Sequence, residues 1–388
     1  MFCKMKKDYK ILIIGCANSI YIVNFVKFLK RENPQAKIYL WGLETNSTVT
    51  DDDFFCCLEE FYFFNDTVRS AKIPYVRRLE KIYLWRKHFR TFVKTKDFDI
   101  VNIHFVSEDY LYIKDALNRM SSKIVLSPWG SDVYRIGQKS ITKLKSLYKM
   151  ADYVSGVDNR FTKDVMSIFN VPESKIVYFD LGSSTIDYIL ENKNQVSTEQ
   201  AKAFWGVEGA YTVTCGYNAH LAQQHLKIIN SISKIKDQLP DTLTLLFPFT
   251  YGGTSEYRSC VKRACEDSGI KAVFFEKFLD LPDLFRLRQA TDMFIHVQTT
   301  DANSTSFGEY LLCEKKIING SWLRYDELEL DGDVPYFVVQ EIDKLDETIL
   351  RAYHAKENQI SERLLNLLKE KSCKVNVKRA NLVFEKIS

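Results

Sequence analysis

Proline and glycine are scarce in this chain, 8 and 15 among 388 residues, which excludes a linker-rich or disordered polypeptide. Nine cysteines are present, yet no Cys-x-x-Cys pair and no Cys/His cluster at zinc spacing, so neither a disulfide framework nor a structural metal site is expected. No stretch reaches the roughly 18 apolar residues of a membrane span. The run KILIIG behind Lys4, Lys6 and Lys7 is too short for a signal segment. A cytoplasmic protein is expected, peripheral to a membrane at most. Charge of one sign is also lacking: 54 Lys+Arg against 50 Asp+Glu leave +4, which disfavours a nucleic-acid partner. What is abundant is apolar and aromatic, 46% hydrophobic with 26 Phe and 21 Tyr, enough for large cores. At about 150 residues per domain the length gives two to three domains.

Short β-rich runs alternate with helical periodicity. KILIIG (10–15), KIYLWGL (37–43), DIVNIHF (99–105), KIVLSPWG (123–130) and DYVSGVD (152–158) read as buried strands of an open parallel sheet. The pattern then restarts with AYTVTCGY (210–217), TLTLLFPF (242–249), KAVFFEKF (271–278), DMFIHVQ (292–298), IINGSW (317–322) and VPYFVV (334–339). The expected architecture is α/β, with doubly wound Rossmann-like domains over 1–190 and 205–355 and a helical segment over 356–388 that packs back on the first. The polar stretch 188–207 is the expected connection. Two such domains facing one another bring the carboxyl ends of their strands to one cleft, where ligands of α/β proteins bind.

Candidate site residues follow strands. Asp301 and Glu309 stand eight apart, spanning a Ser/Thr-rich loop and the start of a helix. An ionised carboxylate there can accept hydrogen bonds from vicinal hydroxyls of a sugar or ribose. Asn303, Ser304, Thr305 and Ser306 would offer amides and hydroxyls to a diphosphate at the helix N-terminus. A plain capping element explains the same residues.

This segment resembles the acidic-x7-acidic motif of retaining GT-B glycosyltransferases of the family-four type, with Asp301 where that family usually has Glu. The order of elements is similar over most of the chain, and the Gly-Ser-Trp after strand 317–322 resembles a bacterial polysaccharide branch. The resemblance implies that Asp301 contacts the donor sugar, Glu309 the ribose, and the loop between them the diphosphate. It also implies an Arg/Lys pair after strand 210–217, which this chain lacks. Gly216, Asn218 and His225 stand there instead, with Lys227 or Arg258 as nearby sources of charge. Tyr251 and Gly252 can bring backbone to the ligand, or form an ordinary turn. Lys277 and Phe278 occupy the segment that meets the nucleobase in the family. A lone histidine such as His225 is more often structural than a ligand contact.

In the first half, Trp129 offers a stacking face for a sugar, Ser131 a hydroxyl, and Asp132 a hydroxyl acceptor or base. Capping of the next helix is the plainer role for Asp132. His104 ends strand 99–105, where related enzymes contact the donor sugar, although a backbone-satisfied histidine fits equally. The turn holding Asn18 and Ser19 carries one glycine and no Gly-x-Gly-x-x-Gly, which suits an acceptor loop better than a dinucleotide site.

Residues 69–96 hold ten basic side chains (Arg69, Lys72, Arg77, Arg78, Lys81, Arg86, Lys87, Arg90, Lys94, Lys96) against Glu80, interleaved with Tyr75, Tyr83, Trp85, Phe89 and Phe92. Such a helix can lie on anionic lipid, or simply turn its aromatics into the core. The reading is transfer of a sugar from a nucleotide-sugar donor to a glycan or lipid-linked glycan, retaining, with neither cofactor nor metal. The triplet Asp51-Asp52-Asp53 precedes an aromatic stretch, away from any plausible metal loop. Inverting transfer, sugar-nucleotide epimerisation, or a non-catalytic sugar-binding module remain alternatives. Glu309→Ala is expected to abolish transfer and leave the fold intact.

Overall fold

The computed structural model describes residues 8–16, 19–43, 52–64, 74–157, 160–301, 304–329, 334–356 and 359–388. The chain divides into two compact units, Met1–Gly182 with Cys373–Ser388, and Ser183–Ser372. Among the described residues no helix is long and apolar enough to cross a membrane.

The first unit is built on strands β1 (Lys10–Cys16), β2 (Lys37–Leu43), β3 (Glu60–Phe64), β4 (Ile100–His104), β5 (Lys123–Ser127), β6 (Tyr153–Gly156) and β7 (Ile176–Tyr178). They form one parallel sheet in the order β3-β2-β1-β4-β5-β6-β7. Central strands such as β4 are buried along their whole length, which is why they read as unbroken apolar runs. Sequence periodicity missed β3 and β7. β3, EFYFF, is an edge strand with aromatics on both faces: Phe61 and Phe63 cluster with Phe55, while Tyr62 and Phe64 meet His88 and Trp85 of helix Pro74–Val93. The Phe-rich stretch is thereby core and edge packing, with Phe54 fully buried. Asp52 and Asp53 open a one-turn helix, and Asp51 lies outside the described residues.

The second unit carries β8 (Thr212–Cys215), β9 (Thr244–Phe247), β10 (Lys271–Phe274), β11 (Met293–His296), β12 (Lys316–Gly320) and β13 (Phe337–Val339), again all parallel, in the order β10-β9-β8-β11-β12-β13. Both sheets reverse their order beside the first strand of the unit, between β1 and β4 and between β8 and β11. That reversal opens a crevice at the carboxyl edge of each sheet.

The chain crosses between units at Gly182/Ser183 and Ser372/Cys373. The second unit therefore starts earlier than the polar stretch suggested. Residues 188–207 are not a linker: they fall in helices Ser184–Asn192 and Thr198–Phe204, the latter started by a capping box of Ser197 and Gln200. The tail splits as well. Helix Glu362–Lys369 stays with the second unit, whereas helix Cys373–Ile387 lies along helix Ile20–Glu32 of the first. There Asn381 Oδ1 accepts from Tyr9 Oη at 2.9 Å and from Asn33 Nδ2 at 3.2 Å.

Candidate active site

In the second unit a buried polar chain caps the carboxyl ends of β8, β11 and β12. His296, the last residue of β11, pairs through Nδ1 with Asn319 Oδ1 of β12 at 2.9 Å, and through Nε2 with Gln298 Nε2 at 3.3 Å. Gln298 Oε1 accepts from Tyr217 Oη at 3.0 Å and Gln223 Nε2 at 2.9 Å, and its carbonyl accepts from Trp322 Nε1 at 2.7 Å. Asp301 joins this set. Its Oδ2 accepts from the Ser304 amide at 3.1 Å and from Tyr325 Oη, and lies 3.6 Å from His296 Nε2. Burial lowers the His296 pKa, with Asp301 and Asn319 pulling the other way, so the ring is a neutral donor and acceptor. Burial likewise raises the Tyr325 phenol far above its usual range, a shift that Asp301 reinforces.

Glu309 sits differently. It lies inside helix Thr305–Leu312 and is buried together with Arg288 of helix Leu281–Ala290. Arg288 Nε and Nη2 donate to Glu309 Oε2 at 3.0 and 2.9 Å, Nη1 donates to Tyr310 Oη at 3.1 Å, and Ser183 Oγ donates to Glu309 Oε1 at 3.1 Å. Both carboxylate oxygens are thus committed to protein partners. Removing the carboxylate strands a buried guanidinium, so Glu309→Ala is expected to cost stability, where the sequence suggested an intact fold.

The loop before that helix is organised by Asp301 rather than by a capping hydroxyl: Ser304 is the N-cap residue but makes no side-chain cap bond. Ser306 accepts from Arg288 Nη2 at 3.4 Å, Thr305 is half-buried, and Asn303 lies outside the described residues.

The turn after β8 is shaped by Gly216, at φ +66, where a Cβ would stand 2.7 Å from Gln223 Oε1 and 3.2 Å from His225 Nε2. Tyr217 and Gln223 stand on this turn, the Tyr217 amide donating to Gln223 Oε1 at 3.3 Å. Asn218 braces the turn: its Oδ1 accepts from the His220 amide at 2.9 Å and its Nδ2 donates to Tyr251 Oη at 3.2 Å. Tyr251, Gly252 and Gly253 form the adjoining turn. A Cβ on Gly253 would come 2.2 Å from the Ala219 carbonyl, so this close approach requires glycine. His225 is fully buried with Nδ1 3.1 Å from Tyr257 Oη, and its Nε2 has no hydrogen-bond partner among the described residues. Burial takes its pKa down to about 3, against a smaller upward pull from the Asn218 backbone. Arg258 is spent on the carbonyls of Phe249 and Gly252, while Lys227, Lys277 and Phe278 are exposed. Lys277 and Phe278 follow β10, apart from the polar chain in hydrogen bonding.

In the first unit His104 ends β4. Its Nδ1 accepts from Trp129 Nε1 at 3.4 Å, which leaves the proton on Nε2, and that atom is buried without a partner among the described residues. Burial alone lowers its pKa to about 3. On the same face Asn102 Nδ2 donates to Ser127 Oγ at 2.8 Å while its Oδ1 is unpartnered. Asp132 proves to be a loop brace: Oδ1 accepts from the amides of Trp129 and Gly130 at 2.9 and 2.8 Å, and Oδ2 from Val106 at 2.7 Å. Burial raises its pKa, opposed by those amides. Ser131 is exposed at the start of a one-turn helix, and Ser19 caps helix Ile20–Glu32 by accepting from Ile22. Asn18 lies outside the described residues.

Sequence reasoning named the acids but missed His296, Gln298, Tyr325, Arg288 and Ser183. A strand-terminal histidine, the signal that marked His104, marks His296 as well; nothing local marks the pairing of Glu309 with Ser183.

Residues 10–155, less than half of the chain, match a family model described as glycosyl transferase 4-like. No curated protein matches the chain. Among solved structures, a glycosyltransferase from Rickettsia africae ESF-5 is similar at TM-score 0.72 and 15% identity, over 98% of this chain and 99% of that one. Anabaena Alr3699/HepE, in complex with UDP and glucose, is similar at TM-score 0.63 and 14% identity, over 97% of each chain. A sucrose-phosphate synthase from Thermosynechococcus elongatus is similar at TM-score 0.66 and 10% identity, over 97% of this chain and 94% of that one. At these identities the likeness establishes the two-domain GT-B fold.

Proposed function

We infer that the chain is a glycosyltransferase, a reading supported by the glycosyl transferase 4-like match over β1 to β6 together with a GT-B fold along the whole chain. We propose that it is a retaining, metal-independent enzyme that moves a sugar from a nucleotide-sugar donor to a hydroxyl of a glycan or lipid-linked glycan, in bacterial surface polysaccharide synthesis at the cytoplasmic side of the membrane. The observation that carries this reading is the polar chain at the carboxyl ends of β8, β11 and β12, with Asp301 at its end. The Anabaena neighbour holds UDP and glucose, which supports the same ligand class here.

In this reading Asp301 takes hydroxyls of the donor sugar. The Ser304–Ser306 segment and the Gly216–Asn218 turn supply amides and hydroxyls to the leaving phosphates, where preorganised donors are worth most. Glu309 holds the motif helix in place through Arg288 and Ser183. In the first unit the partly exposed ring of Trp129 offers a stacking face to a sugar, and buried His104 behind it accepts from its Nε1.

A thermal-shift screen of the intact protein against UDP-, GDP-, dTDP- and CMP-sugars tests the donor. One nucleotide class raises the melting temperature, since a ligand at a hundred times its Kd adds about 2.7 kcal/mol to the folded state. If none does, the donor reading fails. Asp301→Asn, which can still accept from Ser304 and Tyr325, folds normally but loses transfer. The anomeric configuration of the product by NMR decides retention.

A further inference from the structure

Helix Pro74–Val93 divides its aromatics in two. Trp85, Phe89 and Phe92 are buried against Trp41, Phe64 and Tyr62. Tyr75, Val76, Leu79 and Tyr83 are instead 72%, 43%, 50% and 61% exposed. Tyr75, Leu79 and Tyr83 follow at four-residue steps, so the first half of the exposed face is a contiguous apolar strip, unusual for a protein in water. The same face continues with exposed Arg86, Lys87 and Arg90, then Lys94 just past the helix end, with Arg77 and Arg78 flanking the strip. Some of these charges have local partners. Lys81 pairs with Asp109 at 3.0 Å, and Arg86 donates to the Tyr112 carbonyl at 3.1 Å and lies 4.0 Å from Asp115.

We propose that this helix face docks the protein on an anionic lipid bilayer, with Tyr75, Val76, Leu79 and Tyr83 entering the interfacial region and Lys87, Arg90 and Lys94 lying over lipid phosphates. The occupant follows from the chemistry of the strip. Aliphatic and tyrosine side chains together suit the acyl boundary, where long basic side chains can reach the headgroups. A nucleic acid would reward the cations and stacked rings, but neither Val76 nor Leu79. The proposal goes beyond the transfer reading and is measured without it. Arg69 and Lys72 lie outside the described residues and are not needed.

The test is co-sedimentation of the full-length protein with vesicles of phosphatidylcholine alone or with one quarter phosphatidylglycerol, in low and in 0.5 M salt. Binding to the anionic vesicles and not to the neutral ones is expected. K87Q/R90Q/K94Q lowers the partition coefficient on the order of a hundredfold at low salt. Y75S/L79S/Y83S leaves low-salt attachment measurable but removes what persists in 0.5 M salt. All six positions are exposed, so circular dichroism spectra match the parent. Equal sedimentation of the variants, no preference for anionic vesicles, or tighter capture by a single-stranded oligonucleotide than by vesicles overturns the proposal.

Discussion

β4 and β11 hold the same place in their sheets, beside the first strand of the unit where the strand order reverses, and each ends in a fully buried histidine. Their surroundings differ. His296 is satisfied at both nitrogens by Asn319 and Gln298, within a chain that runs on to Tyr217 and lies against Asp301. His104 uses one nitrogen on Trp129 and leaves Nε2 unpartnered, with Asn102 Oδ1 unpartnered two residues before it. An unmade buried hydrogen bond costs about 1–3 kcal/mol, a cost that the first unit carries at His104 and the second at His225 rather than at His296. Both histidines are fully buried; one is satisfied by its neighbours, and the other keeps an N–H without a partner among the described residues.

The comparison is broken most forcefully at Glu309. Glu309→Ala leaves Arg288 buried without its counter-charge and is expected to cost about 3–5 kcal/mol in urea unfolding. Glu309→Leu combined with Arg288→Met, which removes both charges, recovers most of that loss. If Glu309→Ala unfolds like the parent, the second unit's acid is not structural and the contrast between the edges disappears.

The element types were legible because parallel buried strands are near-continuous apolar runs bounded by helical periodicity, and β1, β4, β8 and β11 obey that rule. β3 was hidden because an edge strand lined with phenylalanine on both faces has no alternation. β7, with Ile176 to Tyr178, is too short to carry a period. At the site, Asp301 could be found from its own loop, since Ser304 follows it by three residues, whereas Tyr325 reaches it from 24 residues on. The role of Glu309 could not be, because Ser183 approaches it from 126 residues away and Arg288 from a different helix. Asp132 failed for a related reason. A carboxylate after a strand suits a base or a brace equally well, and only the three amides around it decide.

Next in size is the pair of histidines. His296→Phe strands Asn319 Oδ1 and a Gln298 N–H, at an expected cost of about 2–3 kcal/mol. His104→Phe removes an unpartnered N–H together with the acceptor of Trp129 Nε1, and is expected to cost about 1 kcal/mol while transfer falls. Proton linkage sharpens this. The folded pKa of His104 is about 3 and the unfolded value about 6.5, so the unfolded chain binds a proton that the native state refuses. The stability it contributes is complete above pH 6.5 and drains as pH falls toward 3, by about 1.4 kcal/mol per pH unit; His225 behaves alike. Melting curves between pH 7 and 5 are therefore shallower for His104→Phe by one histidine's share. Equal slopes would mean that His104 is hydrated or charged in the native state.

Backbone strain gives the smallest effect. In the first unit it falls at Asn170 with φ +58 and, directly behind the histidine, at Phe105 with φ +55, whose ring meets Trp129 edge-on. In the second it falls at Gln224 with φ +59, next to Gln223 of the polar chain, and at Glu314 with φ +58, just past the motif helix. There the Lys315 amide donates to Tyr310 and the Glu314 amide to Leu311, the two bonds that close a helix on a left-handed residue, a position glycine fills at least cost. Glu314→Gly releases about 1 kcal/mol of backbone strain and forfeits an exposed pair with Lys193 worth a few tenths. A net gain of about 0.5 kcal/mol with unchanged transfer is expected from urea unfolding and activity assays. Phe105→Gly relieves the same strain but loosens Trp129, so transfer falls without a matching gain in stability. If the two variants behave alike, strain beside His104 plays no part in holding the Trp129 face.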